Sequence, residues 1–377
     1  MKVVKVRSPF IVEVASQATL TNSKIILTIW NDGNAEPTLA TQPGYYEFTK
    51  AIPSINQRAT SYNVSNYVKE FIDNIYPNNI DYGTPITESN NEWVRFRVRT
   101  YWSADGTTYT ALSDTQYIGV NGFVTYTNGY QVATDSVLTL LANSNIKNYY
   151  YKNTYLDGKM EYLNLLIDKA TTTTTTVVAK YERIDGTVYS VSQSIMAGVA
   201  GITNYRIPIT RIIGDANFIN GCKVTLTLTP VSGSPTIIIF YTYPIPEYKY
   251  TPVRCSFINR FGGWKDIIFF KLQTNSIAVK GTDYKLMPSA INYNTKKGQS
   301  KSFNINGNQT IKLNTGFVDE NYSELITDLL LSETVLLDEK PVLVKTQGSD
   351  LKTSLKDKLI NYEIEFEYAY NLINDVV

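Results

Sequence analysis

The sequence predicts a mainly β protein, with a sandwich-like N-terminal region and a C-terminal β domain that carries one packed helix and so has α+β character. Three observations predict it. The chain holds 29 Tyr with many Thr, Ile and Val and only 18% charged residues, a composition suited to half-buried pleated surfaces. Short apolar runs alternate with turn signals at sandwich-like spacing. Only two segments carry a helical period.

Taken in order, Phe10–Ala15, Lys24–Trp30 and Tyr45–Lys50 read as strands, the second closed by Asn31-Asp32-Gly33 and the third followed by Pro53. A helix is expected at about 64 to 76. Val64, Val68, Phe71, Ile72 and Ile75 fall on one face there, Asn63 is placed to cap it, and Pro77 ends it. Trp93–Tyr101 alternates strictly, with Val94, Phe96 and Val98 on one face and Trp93, Arg95, Arg97, Arg99 and Tyr101 on the other. Ala104-Asp105-Gly106 turns that strand into Thr107–Leu112. Residues 120–155, rich in Tyr, Asn and Gly, show no period and read as an irregular surface stretch with short strands.

Thr171–Thr176 runs directly into Val177–Tyr181, so a Thr-rich strand is expected rather than a linker, paired with Val188–Ser192 across Asp185-Gly186. Lys223–Thr229 and Thr236–Tyr243 form a further hairpin around Ser232-Gly233-Ser234. Pro244 and Pro246 then break the ladder, because proline cannot donate to it. This places a boundary between a region 1–248, which divides further near 120–160, and a C-terminal domain 249–377. The latter reads as strand Val253–Ile258, turn Phe261-Gly262-Gly263-Trp264, strand Ile267–Leu272 and a polar hairpin region through 312. Helix 319–331 follows, capped by Asp319 with an apolar stripe of Tyr322, Leu325, Ile326, Leu329 and Leu330, and the last strand is Tyr362–Tyr370.

Charge and composition exclude several functions. Lys plus Arg number 35 against 34 Asp plus Glu, so the chain lacks the net positive field of a protein that holds nucleic acid by its phosphates. With no histidine, Ser-His-Asp triads, Cys-His dyads and His-ligated metals are ruled out. Cys222 and Cys255 match no metal knuckle or redox pair, and no apolar run approaches a membrane span or a secretory leader. A soluble protein made in a reducing compartment, without catalytic residues, metal or cofactor, is expected.

Three constellations invite sharper readings. Glu363, Glu365 and Glu367 share one face of the last strand, at intervals of roughly 6.6–6.8 Å. Paired carboxylates can hydrolyse glycosides, but three in a row on one strand do not converge on a substrate, so a solvated or salt-bridged face is preferred. Arg95, Arg97 and Arg99 form a positive row that could touch DNA passing through a channel; a polar face whose charges meet carboxylates on a neighbouring strand or subunit is the preferred reading. Phe261 and Trp264 are candidates, with the arginines, for a subunit interface, and Trp264 reads equally as a core residue. The Asp-Gly pairs at 105–106, 157–158 and 185–186 lack the alternating carboxylates of a calcium loop and are read as hairpin turns.

The stretches TPVRCSFINRFGGWKDIIFFK at 251–271, LNTGFVDENYSELITDLLLSE at 313–333 and LKTSLKDKLINYEIEFEYAYNLIND at 351–375 together resemble virion proteins of tailed bacteriophages that infect Bacteroidota, crAss-like phages among them. SKIILTIWNDG at 23–33 and YNVSNYVKEFIDNIY at 62–76 fit the same group more loosely. The resemblance implies a structural subunit of the phage tail, in a hub, tube or baseplate ring. Such a subunit would assemble in the host cytoplasm with copies of itself and other tail proteins, and there are no catalytic residues to carry over. A receptor- or carbohydrate-binding fibre module is the alternative, since aromatic faces also stack on sugars.

Overall fold

In a computed structural model of the 377-residue chain, the residues described are 2–15, 20–31, 34–52, 59–74, 76, 92–133, 138–140, 148–152, 162–169, 175–195, 201–208, 222–229, 234–245, 249–286, 294, 296, 298–346, 348 and 360–373. The chain folds as two units. One comprises Met1–Ile245 with Phe257–Asp266, the other Pro246–Ser256 with Ile267–Val377.

The first unit opens with strands β1 (Val3–Lys5), β2 (Ile11–Val14), β3 (Asn22–Trp30), β4 (Tyr45–Ala51) and β5 (Thr60–Asn63), then helix α1 (Ser65–Lys69). The long hairpin β6 (Trp93–Ser103) and β7 (Thr110–Val120) follows. Five of these strands form a sheet in the order β1-β7-β6-β3-β4, and β2 pairs with β5. Strict alternation in β6 places Val94, Phe96 and Val98 inward. They meet Ile25, Leu27 and Ile29 of β3, and Val14 of β2, Tyr62 of β5 and Val68 of α1, with the adjoining Phe10 and Val64, cover them. This is the sandwich-like layering that period-2 patterning demands.

Two expectations about this region are corrected. The helix spans five residues rather than 64–76, and Val64 occupies the cap position. The Asn63 side chain instead accepts the Ser65 amide at 3.3 Å, the Ser65 hydroxyl at 2.8 Å and the Phe10 amide at 3.2 Å, tying β2 to the turn. Val, Asn, Tyr, Phe and Ile are weak helix formers, and Phe71 and Ile72 reach the core from non-helical backbone. Ile75 and Pro77 lie outside the described residues.

The remainder of the unit contains β8 (Leu138–Leu140), β9 (Asn148–Lys152), β10 (Tyr162–Lys169), β11 (Thr175–Arg183), β12 (Val188–Ile195), β13 (Gly201–Pro208), β14 (Cys222–Thr229) and β15 (Thr236–Ile245). They form a three-stranded sheet, β13-β10-β8, and a five-stranded one, β12-β11-β14-β15-β9. The Thr-rich strand pairs as read, with Ala179 opposite Val191 and Tyr181 opposite Tyr189. Residues 171–174, and the Asp-Gly pair at 157–158, lie outside the described residues. Pro244 does not break the ladder: β15 continues to Ile245 and places Pro244 opposite Tyr151 of parallel β9. It is tolerated because the pairing with β14 ends at Thr242, before an amide donor is missed on that side.

The chain then forms β16 (Val253–Ile258) and β17 (Trp264–Phe269), whose connecting tip belongs to the first unit. The second unit continues with β18 (Thr274–Lys285), β19 (Ser300–Val318), α2 (Tyr322–Leu330), β20 (Val335–Leu337), β21 (Lys340–Val344) and β22 (Ile360–Tyr368). Its sheet runs β17-β16-β20-β21-β22-β19-β18. In β22, Ile360, Tyr362, Ile364 and Phe366 are buried while Asn361, Glu363 and Glu365 face solvent. Helix α2 buries Tyr322, Leu325, Ile326 and Leu329, with Leu330 half-buried. Asp319 is not its cap: Asn321 takes that position, and Asp319 accepts the Asn321 amide through Oδ1 at 2.9 Å and the Tyr322 amide through its carbonyl at 3.0 Å.

Candidate functional site

The residues singled out above are distributed over three places. Arg95, Arg97 and Arg99 lie on the outer face of β6. Glu36 meets two of them, with Arg97 at 2.9 Å and Arg99 at 2.5 Å, and Asp114 across the hairpin lies 3.5 and 3.4 Å from the same pair. Arg97 also donates to Gln116 at 3.2 Å, and the Arg95 guanidinium sits 5.7 Å from the centre of the Trp93 ring. The ion pairs hold the Arg99 pKa above its ordinary value against the opposing effect of burial. The positive row is thus matched by carboxylates of its own unit.

Phe261 and Trp264 flank a turn that fits into the first unit. Asn259 shapes it, accepting the Phe261 and Gly263 amides at 2.9 and 3.1 Å. Gly262 has φ +87°, and a side chain there would come within 2.9 Å of Val120. Trp264 is 5% exposed; its indole N–H donates to buried Glu92 at 3.1 Å, and its ring meets Tyr76 edge-on at 5.0 Å. Of the two readings of Trp264, the interior one describes its position. Phe261 packs beside Trp93, Ile118 and Val120, with the Lys5 ammonium 4.3 Å from its ring centre.

Glu363 and Glu367 pair with Lys312 at 2.9 Å and Lys345 at 2.7 Å. Glu367 also accepts from Asn308 at 2.9 Å, and Lys345 and Asn308 hold its carboxyl below the usual range. The carboxylate row is a sheet face on which Glu363 and Glu367 are salt-bridged and Glu365 is exposed.

The polar hairpin region expected through 312 is the hairpin β18–β19; what the sequence reading passed over is the set of apolar side chains that it exposes. The hairpin's Ser, Thr and Asn content carries no burial period, and it reads only as a polar region. In β19, pairing with β22 begins at Thr310; Asn306 and Gly307 bond to Ile373 and Leu372, and Asn308 donates to Glu367, so among the described residues it is 300–305 that have β18 alone beside them. Every residue of β18 is exposed, as are residues 300–305 of β19. Over β18 and residues 300–305 both faces of the arm are exposed among the described residues, and Ile277, Val279, Tyr284, Phe303 and Ile305 are 61%, 66%, 41%, 43% and 48% exposed. Ile277 and Val279 continue the face that further along carries buried Ile311 and Leu313. A second apolar row, Ile237, Ile239, Tyr241 and Tyr243, lies on the outer face of β15.

Among the described residues no three metal-ligating side chains cluster, and no helix is long and apolar enough to cross a membrane. Cys222 and Cys255 are both buried and are not joined in a disulfide. Together these features define the class: a mainly β protein with one long packed helix and an uncovered β arm. Compared with known proteins, the sequence matches no family model and no curated protein.

Proposed function

We propose that the protein is a structural subunit of a bacteriophage virion, a tail hub, tail tube or baseplate ring component that works by shape and without catalysis. The observation that carries the reading is the β18–β19 arm. A folded protein that exposes large apolar side chains on both faces of a ribbon, beside a strand edge that no described strand pairs, has a surface suited to a partner. The resemblance of 251–271, 313–333 and 351–375 to virion proteins of Bacteroidota phages supports the same reading. Its partners are then copies of itself in a ring and other tail proteins. Because Arg97 and Arg99 are engaged by Glu36 and Asp114, the arginine row favours a role within the sheet over passing contact with DNA.

The test is to purify phage particles, identify their proteins by mass spectrometry and locate this chain with a labelled antibody. It is expected in integer copy number at the tail, and its absence from intact particles would refute the reading. The exposed row Ile237, Ile239, Tyr241 and Tyr243 favours a second reading, a receptor- or carbohydrate-binding tail module. Glycan binding by the pure protein, lost in Tyr241→Ala or Tyr243→Ala, would establish it.

A further inference from the structure

We propose that the outer end of the β18–β19 arm binds duplex DNA, entering the major groove with its lysines against the phosphates and without regard to sequence. The inference goes beyond the virion reading and does not depend on it. The segment 274–309 holds Lys280, Lys285, Lys296, Lys297 and Lys301 against Asp283 alone, a net +4. The whole chain is +1, so all its other residues together carry −3, and the positive charge is local to the arm. Among the described residues Lys285, Lys296 and Lys301 are exposed and have no carboxylate partner. Lys280 is exposed too; it lies in the field of Glu367, whose ion-pair partner is Lys345 at 2.7 Å. The one acid of the arm, Asp283, accepts the Ser302 hydroxyl.

The strand register selects the kind of anion that fits. Lys280 lies opposite Asn306, Thr282 opposite Phe303 and Tyr284 opposite Lys301, while Asp283 lies opposite Ser302 and Lys285 opposite Ser300. One face of the outer end therefore carries Lys280, Tyr284, Lys301 and Phe303, and the other carries Asp283 and Lys285. The bulge beside Gly281, where Asn304 adopts φ +51°, turns Phe303 onto the first face and leaves Ile305 on the second. Lys296 stands in the connection between the strands. Cations on both faces and at the tip match an anion that surrounds the ribbon; a flat one, such as a lipid surface, meets one face alone. The major groove of duplex DNA has a phosphate wall on either side and, at about 12 Å wide, admits a two-stranded ribbon. The stretch from Lys280 to Lys285 is about 20 Å long, enough to lie along the groove. Tyr284 and Phe303, whose rings meet edge-on at 5.5 Å, add apolar contact of the kind made with thymine methyl groups. Ile277 and Val279, nearer the body of the sheet, stay open to a protein partner.

The experiment titrates the full chain into a fluorescently labelled duplex of mixed sequence and reads the anisotropy of the label. With the three partnerless lysines on phosphates, affinity should fall about 40-fold as sodium chloride rises from about 0.05 to about 0.2 M, a log–log slope of about −2.7. Lys285→Gln/Lys296→Gln/Lys301→Gln should bind about tenfold or more weakly at the lower salt and flatten the slope, with an unchanged circular dichroism spectrum. Lys312→Gln removes a lysine already paired with Glu363 and should bind as wild type does; duplexes of unrelated sequence should bind alike. Absence of binding at the lower salt, an affinity indifferent to salt, or a folded arm variant that binds as wild type does would each overturn the proposal. So would single strands that bind more tightly than the duplex, or vesicles containing phosphatidylserine that bind where the duplex does not. Self-association through the arm that the duplex fails to displace would overturn it as well, making the arm an interface between copies. Whether the chain is found in purified particles tests the virion reading and is a separate result.

Discussion

Phe366→Ala tests the architecture of the second unit most directly. Phe366 is fully buried in β22, opposite Ile311 of β19 and Val344 of β21, and meets Phe269 edge-on at 5.9 Å. Truncating a buried phenylalanine costs about 3–5 kcal/mol, of which the ring pair accounts for about 0.5–1.5 kcal/mol. That is a large part of the stability of an ordinary domain, typically about 5–15 kcal/mol. Its neighbour Glu365 points the other way and is exposed. Glu365→Ala should change stability by about 0.5 kcal/mol or less, since its backbone contacts with Thr346 and Lys345 survive the substitution. Urea denaturation followed by tryptophan fluorescence and circular dichroism measures both. If Glu365→Ala proves as damaging as Phe366→Ala, the two faces of β22 are reversed and the sheet described here is wrong.

Other outcomes follow from single residues. Asp105 accepts the Thr107 and Thr108 amides at 2.8 and 2.7 Å and the Ser103 hydroxyl at 2.8 Å, and these bonds hold its pKa far below the ordinary value. Because the folded pKa lies below the unfolded one, its carboxylate stabilises the turn above about pH 4 and loses this effect as pH falls through the folded value. An NMR titration should find Asp105 still ionised when exposed aspartates have protonated. Gly262→Ala should destabilise more than Gly186→Ala. Both glycines have positive φ, +87° and +82°, but an added Cβ meets Val120 at 2.9 Å in the first and nothing within 4 Å in the second; comparative melting decides. Ellman titration of the denatured, unreduced protein should yield two thiols, from Cys222 and Cys255. Glu363→Gln, Glu365→Gln and Glu367→Gln should leave no hydrolytic activity to lose, and peptidoglycan degradation by the wild type, abolished in one of them, would contradict this.

What could be read from the sequence was whatever a local period or a turn signal encodes. Trp93–Tyr101, Val253–Ile258 and the Asp-Gly hairpins at 105–106 and 185–186 declare themselves within a dozen residues. The α2 stripe and the alternation of β22 did so as well. What the sequence could not yield were contacts fixed by distant chain. Trp264 looks like the tip of a turn until Glu92, 172 residues away, takes its N–H. The arginine row looks cationic until Glu36 folds over it, 63 residues from Arg99. The parallel pairings of β1 with β7 and of β9 with β15 leave no local signature. The arm was legible only as a polar hairpin region, because a ribbon exposed on both sides has no inside and outside for a pattern to record.

The arm's register slips between Lys280 and Thr282, where β19 inserts an extra residue and Asn304 adopts φ +51°. A bulge of this kind coils a ribbon and bends its rim. Flat ribbons stack into fibrils, and a bare rim such as β18 would be the template. The kink, with Lys280 and Lys285 projecting beside it, denies a second ribbon the straight, uncharged rail that such stacking needs. A cell making many copies of this chain could therefore store them at high concentration without seeding amyloid, and point mutations that straighten the kink, such as deletion of Asn304, should turn a dispersed pool into thioflavin-positive aggregate.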